Sequence, residues 1–377
     1  MHTGGERYHG LDALRASLMA LGVLLHVACS FQLGEPDGGW PYRDPQQSLL
    51  ATLLVIGTHF VRMPLFFVLS GFFAAQMVER RGMRGFLADR ALRVALPLAV
   101  GWVLLTPVVG FAFSYAISVQ RGGDPQGALA LVKPLPSGPA HLWFLYYLLL
   151  LCGLAALACL LPSAVRTRWR VACGRALGSR ARGLILWILL ALAMFTMSGP
   201  SLETPAGFAL NASVLAAYGV CFGAGWQLRR VPGFVEGAQR GIVWRLVLGV
   251  IALLLGTLAV LVWFGQKKDG GEGSGAVPFV VAQASGAAAV WLLGFGLIGA
   301  CERWLGRPRP WVRHASDASY WVYLAHLPIA VFAAVLLRSW EAGALSKLTL
   351  ATLATFLLSW ASFVALRAVI PARKPVA

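Results

Sequence analysis

The sequence predicts an all-α, polytopic membrane protein of about ten transmembrane helices, with both termini in the cytoplasm. Three observations lead to this prediction. The composition is strongly apolar, long apolar runs recur along the whole chain, and the segments between those runs alternate in positive charge.

Composition separates this chain from ordinary soluble domains. Hydrophobic residues make up 58% of the 377 residues and charged residues only 12%, whereas an average soluble domain is about half apolar and about a quarter charged. The bilayer is therefore expected to surround most of the chain, and it is the first predicted partner.

The apolar runs are long enough to cross a hydrocarbon core of about 30 Å, because a helix rises about 1.5 Å per residue. The predicted spans cover residues 11–33, 50–79, 94–118, 141–162, 183–199, 208–228, 246–265, 278–300, 319–337 and 348–366.

Charge fixes the predicted orientation. A net charge of +17 would suggest nucleic-acid binding in a soluble protein, because clustered Lys and Arg neutralise phosphates. Here most of the 32 Lys and Arg residues fall in alternate loops, including 80–93 and 166–182. Cytoplasmic loops are enriched in Lys and Arg, so the alternation places both termini inside, and no nucleic-acid partner is expected.

The six cysteines lie in predicted spans or on the reducing cytoplasmic side, without a close pair. We therefore expect neither a disulfide framework nor a metal site. The run ending at Cys29 resembles a lipoprotein signal only weakly, because His26, Asp12 and Arg15 interrupt it. We expect the first helix to be retained.

No internal repeat and no loop of domain size is visible, so we predict a single membrane domain over residues 1–377. The outer segments 32–48 and 120–139 are rich in Gly, Pro and Asp, as expected of irregular connections that can carry function. Segment 266–275 has the composition of a flexible tether.

The first predicted helix carries three ionisable residues, Asp12, Arg15 and His26. Such side chains at membrane depth are costly and indicate function. His26 follows Arg15 by eleven positions, so the two share one helical face about 16 Å apart. Asp12 and Arg15 form either an ion pair that reaches the inner surface or part of a functional site. His26 is either a buried structural residue or a proton acceptor.

The second predicted helix carries His59 and Arg62 one turn apart, and a buried guanidinium requires a partner. The Ser70-Gly71 pair indicates close helix packing. Ser70 lacks the turn motif of a hydrolase nucleophile.

Arg90 and Arg93 lie one turn apart at the predicted cytoplasmic start of the third helix. Paired guanidinium groups bind phosphates, and a helix N-terminus favours anions. The positive-inside rule explains the same arginines without a ligand. Spacing alone leaves both interpretations open.

Two later segments add candidates. His141 and Trp143 lie at a predicted outer membrane boundary, where an aromatic belt is the ordinary interpretation. His326 lies inside the ninth predicted span, where a structural hydrogen bond is favoured and a role in lining a site comes second.

Five motifs, in order along the chain, resemble those of the acyltransferase 3 family of integral membrane acyltransferases. They are RYHGLDALR followed by His26, RMPLFFVLSGFF, Arg90-x-x-Arg93 with Pro97, HLWFLYYL and ASYWVYLAHLPI. Within the family, the closest similarity is to the subgroup associated with glucan biosynthesis.

The resemblance implies an enzyme of the bacterial inner membrane that takes an acyl group from cytoplasmic acyl-CoA, either acetyl-CoA or succinyl-CoA. The acceptor would be a carbohydrate or similar hydroxyl at the periplasmic face. Family motifs map onto Arg15 with His26, as an Arg and a His with ten residues between them, and onto the Arg90 and Arg93 pair.

The resulting hypothesis assigns three sets of residues. His26 is the general base, Arg15 positions the cofactor or oxyanion charge, and Asp12 holds Arg15. Arg90 and Arg93 bind the coenzyme phosphates. The substrate-binding candidates are His59, Arg62, His141, Trp143 and His326.

Two other classes of function fit the same helices. Intramembrane Arg, Asp and His also suit an exporter or flippase of a saccharide or lipid-linked saccharide. A structural subunit of an envelope assembly would tolerate changes at His26 and Arg90. The sequence leaves the oligomeric state open, a homo-oligomer included.

Overall fold

A computed structural model describes residues 8–36, 39–123, 138–205, 207–268 and 275–369. Within these ranges the regular structure is helical, as predicted, and no strand occurs. Most of the predicted outer segment 120–139 and of the predicted tether 266–275 lies outside the described residues.

Twelve α-helices make up the described chain. They are α1 (His9–Ala28), α2 (Leu49–Arg90), α3 (Leu96–Gln120), α4 (Trp143–Ala158), α5 (Ser163–Gly178), α6 (Arg182–Met194), α7 (Ala212–Leu228), α8 (Phe234–Ala238), α9 (Ile242–Lys268), α10 (Ala276–Leu305), α11 (Pro310–Leu336) and α12 (Ala344–Val369).

The predicted loop 80–93 is helical instead. A π-helical turn, Ala91–Ala95, joins α2 to α3, so Leu49–Gln120 forms one helical segment of 72 residues that holds the predicted spans 50–79 and 94–118. Gly82, with φ of 67° and ψ of 175°, bends the segment. The Arg, Met, Leu and Ala residues around Gly82 are good helix formers, which explains why the chain resumes a helix after the bend.

Seven of the described helical segments are long and apolar enough to cross a membrane, and the number is eight if the bent pair α5 and α6 counts as one span. The protein is thus a multi-pass membrane protein, but the predicted count of ten is not confirmed. Two of the ten predicted spans correspond to the shorter helices α6, of 13 residues, and α7, of 17 residues.

The helices form two compact units. The first unit comprises the described parts of Met1–Leu14, Ile56–Trp102 and Ser137–Arg309. The second unit comprises those of Arg15–Val55, Val103–Pro136 and Pro310–Ala377. The single membrane domain predicted for residues 1–377 stays a prediction.

In the first unit, the start of α1 packs directly on the end of α10. A Cβ atom added to Gly10 would lie 2.5 Å from the backbone nitrogen of Glu302. The Glu302 carboxylate accepts a hydrogen bond from the Leu11 amide at 2.9 Å. This bond satisfies one of the backbone donors that the first turn of a helix leaves unpaired.

Two glycines bring α2 and α7 into backbone contact. A Cβ on Gly71 would lie 1.9 Å from the carbonyl oxygen of Phe222, and a Cβ on Gly225 would lie 1.9 Å from that of Val68. Small residues allow such an approach between membrane helices. The packing role predicted for the Ser70-Gly71 pair is confirmed.

We expect Gly225→Ala to destabilise the protein, because the added methyl group has no room and the two helices must separate. Overpacking of this kind costs about 1–3 kcal/mol, occasionally more. Thermal unfolding of the detergent-solubilised protein measures the effect. Gly223→Ala on the same helix is the matched control, since nothing lies within 4 Å of its added Cβ; equal unfolding temperatures for both variants would contradict the close contact.

Candidate functional site

The predicted catalytic residues of α1 fall in both units. Asp12 is buried and belongs to the first unit, whereas Arg15 and His26 are half-buried and belong to the second. Arg15 and His26 lie on one continuous helix. Helical geometry therefore places both on one face, as predicted.

The second unit surrounds His26 with aromatic rings. The indole of Trp40 stacks on the His26 imidazole, with ring centroids 5.8 Å apart and planes 20° apart. The His326 imidazole lies on α11, with its centroid 5.2 Å from that of His26. The structure therefore brings together two of the predicted site residues, His26 and His326, and adds Trp40, which the sequence did not single out.

His326 is held in one orientation. Its ring is buried, with 2% of its surface exposed. Its Nδ1 atom lies 2.8 Å from the carbonyl oxygen of Tyr323 and 3.0 Å from that of Val322. Because a carbonyl oxygen only accepts, Nδ1 carries a proton and donates to these carbonyl oxygens. The predicted structural hydrogen bond is confirmed, and the substrate-binding role of His326 stays a prediction.

The loop that follows α1 holds Trp40 in place. The Trp40 indole nitrogen donates to the Ser30 hydroxyl at 2.8 Å. The buried guanidinium of Arg43 donates to the carbonyl oxygens of Cys29, Trp40 and Tyr42 at 3.0–3.2 Å. One side chain thus satisfies three backbone acceptors and fixes the path of the loop beside His26.

A buried ion pair anchors the same loop. The Lys347 ammonium on α12 lies 3.0 Å from the Asp44 carboxylate, and the two residues are 1% and 0% exposed. Lys347 also donates to the carbonyl oxygen of Arg338 at 3.2 Å. Burial, then the charge and hydrogen bond of Asp44, raise the pKa of Tyr42, so its phenol remains protonated and donates to that carboxylate.

The sequence does not indicate this anchor. Arg43 lies in the predicted outer segment 32–48 and Lys347 directly precedes the predicted span 348–366, where a basic residue needs no buried partner. Nothing in the spacing identifies Asp44 as the partner of Lys347.

In the first unit, Arg90 and Arg93 share one acid. Asp89 lies 2.5 Å from the Arg90 guanidinium and 3.0 Å from that of Arg93. The side chain of Arg93 is 76% exposed. Asp89 offsets part of the positive charge that the predicted phosphate site depends on, and coenzyme binding by the pair stays a prediction.

The remaining substrate-binding candidates also lie in the first unit. Arg62 is buried, and His59 and His141 are half-buried. Trp143 is buried against the rings of Tyr218 and Phe67, with centroids 5.4 and 6.4 Å away. It therefore belongs to an internal aromatic cluster rather than to a belt exposed to lipid. Their roles in substrate binding stay predictions.

No group of three or more His, Cys, Asp or Glu side chains suited to a metal ion occurs among the described residues.

Seven helical segments among the described residues are apolar and long enough to span a membrane. The helices also enclose the imidazoles of His26 and His326 and the indole of Trp40, next to the guanidinium of Arg43. These features define a multi-pass membrane protein with a polar internal site. The chain belongs to the acyltransferase 3 family, because the model of that family, described as an acyltransferase domain, matches residues 8–364. The protein is therefore an acyltransferase that transfers groups other than amino-acyl groups. The family resemblance carried by the five motifs is confirmed.

Similar proteins support the same assignment. The chain is 28% identical over 153 residues to glucans biosynthesis protein C of Escherichia coli strain K12 and of strain SMS-3-5. The aligned region covers 40% of this chain and 38% of each relative, so the similarity spans less than half the length of those proteins. No solved structure matches the chain.

Proposed function

We propose that this acyltransferase moves an acetyl or succinyl group from cytoplasmic acyl-CoA to a carbohydrate or similar hydroxyl at the periplasmic face of a bacterial inner membrane. The observation that carries the proposal is the stacking of His26 on Trp40 beside His326, within a chain of this family. An imidazole fixed at membrane depth is suited to accept a proton from an acceptor hydroxyl.

The proposed reaction is a single acyl transfer. The acceptor oxygen attacks the thioester carbonyl while His26 takes its proton; the carbon–sulfur bond breaks, and the coenzyme leaves as a thiol after it receives a proton. The products are an ester and free coenzyme A. In this proposal His326 is neutral, with its lone pair on Nε2, and would stabilise the imidazolium that forms on His26.

In this proposal, arginine side chains bind the negatively charged groups of the acyl donor. Arg15, on the His26 face of α1, would position the thioester or its oxyanion, and Asp12 would hold Arg15. Arg90 and Arg93 would contact the coenzyme phosphates. The name of the relatives suggests a glucan as the carbohydrate acceptor.

Mass spectrometry of envelope glycans and lipids tests the proposal. We expect cells that contain the chain to carry an acetyl or succinyl modification that is missing from cells without it. Complementation of the deletion with the wild-type chain should restore the modification, and complementation with His26→Gln should not. Export of the same glycan without modification would instead support an exporter, and identical spectra with and without the chain would rule out the proposed transfer.

A further inference from the structure

The first unit holds a cavity of about 780 Å³ around the end of α7 and the part of α2 that precedes Gly82. Four arginines, Arg80, Arg170, Arg229 and Arg230, line it together with two acids, Glu79 and Glu236. Ligand pockets of small molecules commonly enclose about 300–1,000 Å³. The cavity therefore has the size of a ligand site and an excess of positive charge.

The positive charge in the cavity is only partly neutralised. The Glu79 carboxylate lies 3.1 Å from Arg229 and 4.0 Å from Arg230, so one acid faces two guanidinium groups. Burial lowers the pKa of Arg230, and the nearby charge of Arg170 lowers it further. The buried Nε atom of Arg229 has no hydrogen-bond partner among the described residues. An anion bound here would relieve repulsion and accept unused donors.

Aromatic rings form one wall of the cavity. Tyr8 and Phe72 meet edge to face, with centroids 5.3 Å apart, and the Arg229 guanidinium lies 5.8 Å from the Phe72 ring. Guanidinium groups recognise phosphates, and aromatic faces accept flat heterocycles by stacking. The combination suits a ligand that has several phosphates and a planar base.

The positive-inside rule places these arginines on the cytoplasmic side, which is the side of the proposed acyl donor. We infer that the cavity between Tyr8, Phe72, Arg170, Arg229 and Arg230 binds the phosphorylated nucleotide end of coenzyme A. This inference rests on the proposed function, since it takes acyl-CoA as the donor. Arg90 and Arg93 do not line this cavity, and the inference does not depend on them.

Binding of radiolabelled adenosine 3′,5′-bisphosphate to the full-length protein in phosphatidylcholine nanodiscs tests the inference. This probe has the base and two of the phosphate positions of coenzyme A, without the acyl arm. We expect Arg229→Gln and Arg230→Gln to weaken its binding at least tenfold, since charged hydrogen bonds are lost. Unchanged binding in both variants would overturn the inference.

Two further variants separate a binding effect from a folding effect. Arg170 lines the cavity and is exposed, whereas Arg166 lies one turn earlier on α5, is also exposed and does not line it. We expect Arg170→Gln to weaken binding several-fold and Arg166→Gln to leave it unchanged. Equal affinities for these two variants would count against the cavity even if Arg229→Gln failed to fold.

The same preparation distinguishes the inference from the proposed function. A wild-type KM for acyl-CoA in Arg229→Gln and Arg230→Gln would refute the cavity while the donor proposal stands. A wild-type protein that neither binds the probe nor consumes acyl-CoA would refute the donor proposal itself. Binding of short-chain phosphatidic acid without binding of the probe would assign the cavity to a lipid phosphate and overturn the inference.

Discussion

His26→Gln should abolish acyl transfer while the protein still inserts and accumulates. Glutamine is also polar, but it cannot take the proton from the hydroxyl group of the acceptor. Loss of a positioned general base typically lowers the rate by a factor of about 10²–10⁴. Release of free coenzyme thiol by membrane vesicles, measured with and without a glucan acceptor, gives the rate.

His314→Gln is the matched control for this experiment. His314 is an exposed histidine of the same unit, near the start of α11, and its ring lies 5.0 Å from that of Trp360. We expect its rate to equal that of the wild type at equal protein abundance. Transfer retained in His26→Gln would remove the proposed base.

Lys347→Met should strongly destabilise the second unit. The change leaves the Asp44 carboxylate buried without its cation, and breaking a buried pair from one side costs about 3–5 kcal/mol. Thermal unfolding in detergent measures the loss. The exposed Lys267→Met serves as the control, with a shift expected of at most about 1 kcal/mol, because Lys267 makes only a surface cation–π contact with Trp263. The double change Lys347→Met with Asp44→Asn should recover part of the lost stability, because the unpaired charge is then absent.

The same variant connects the anchor to the site. Asp44 lies in the same loop as Trp40, and the backbone amide of Asp44 donates to the carbonyl oxygen of Ser30 at 2.8 Å. Release of Asp44 should therefore disturb the stacking of Trp40 on His26 and lower the rate of transfer at temperatures where the protein stays folded. A Lys347→Met variant as stable as the wild type would contradict the buried pair.

The sequence predicted the parts of this protein that follow from local pattern. Apolar length predicted the helices, and helical periodicity placed Arg15 and His26 on one face. The shared acid of Arg90 and Arg93 was also predictable, because Asp89 lies four residues before Arg93, the spacing of a helical ion pair. The bends at Gly82 and between α5 and α6 were not predictable. Hydropathy reports the length and composition of an apolar run and not the direction of the helix axis.

The surroundings of His26 could not be predicted for a different reason. Trp40, Asp44 and Lys347 reach their positions through contacts between residues far apart in the chain, the last two separated by 303 positions. Spacing carries no information on such pairs. The packing of an irregular loop is decided by which buried groups can satisfy one another, and only the structure shows that choice.

The most direct test of the central claim uses proteoliposomes with acyl-CoA trapped on the cytoplasmic face of the protein and a glucan acceptor on the other. For the wild type, we expect free coenzyme A to accumulate on the cytoplasmic face of the protein and acylated glucan on the opposite face. For His26→Gln we expect neither product. Acylation that proceeds equally in that variant, or coenzyme release that leaves the glucan unmodified, would contradict acyl transfer through His26.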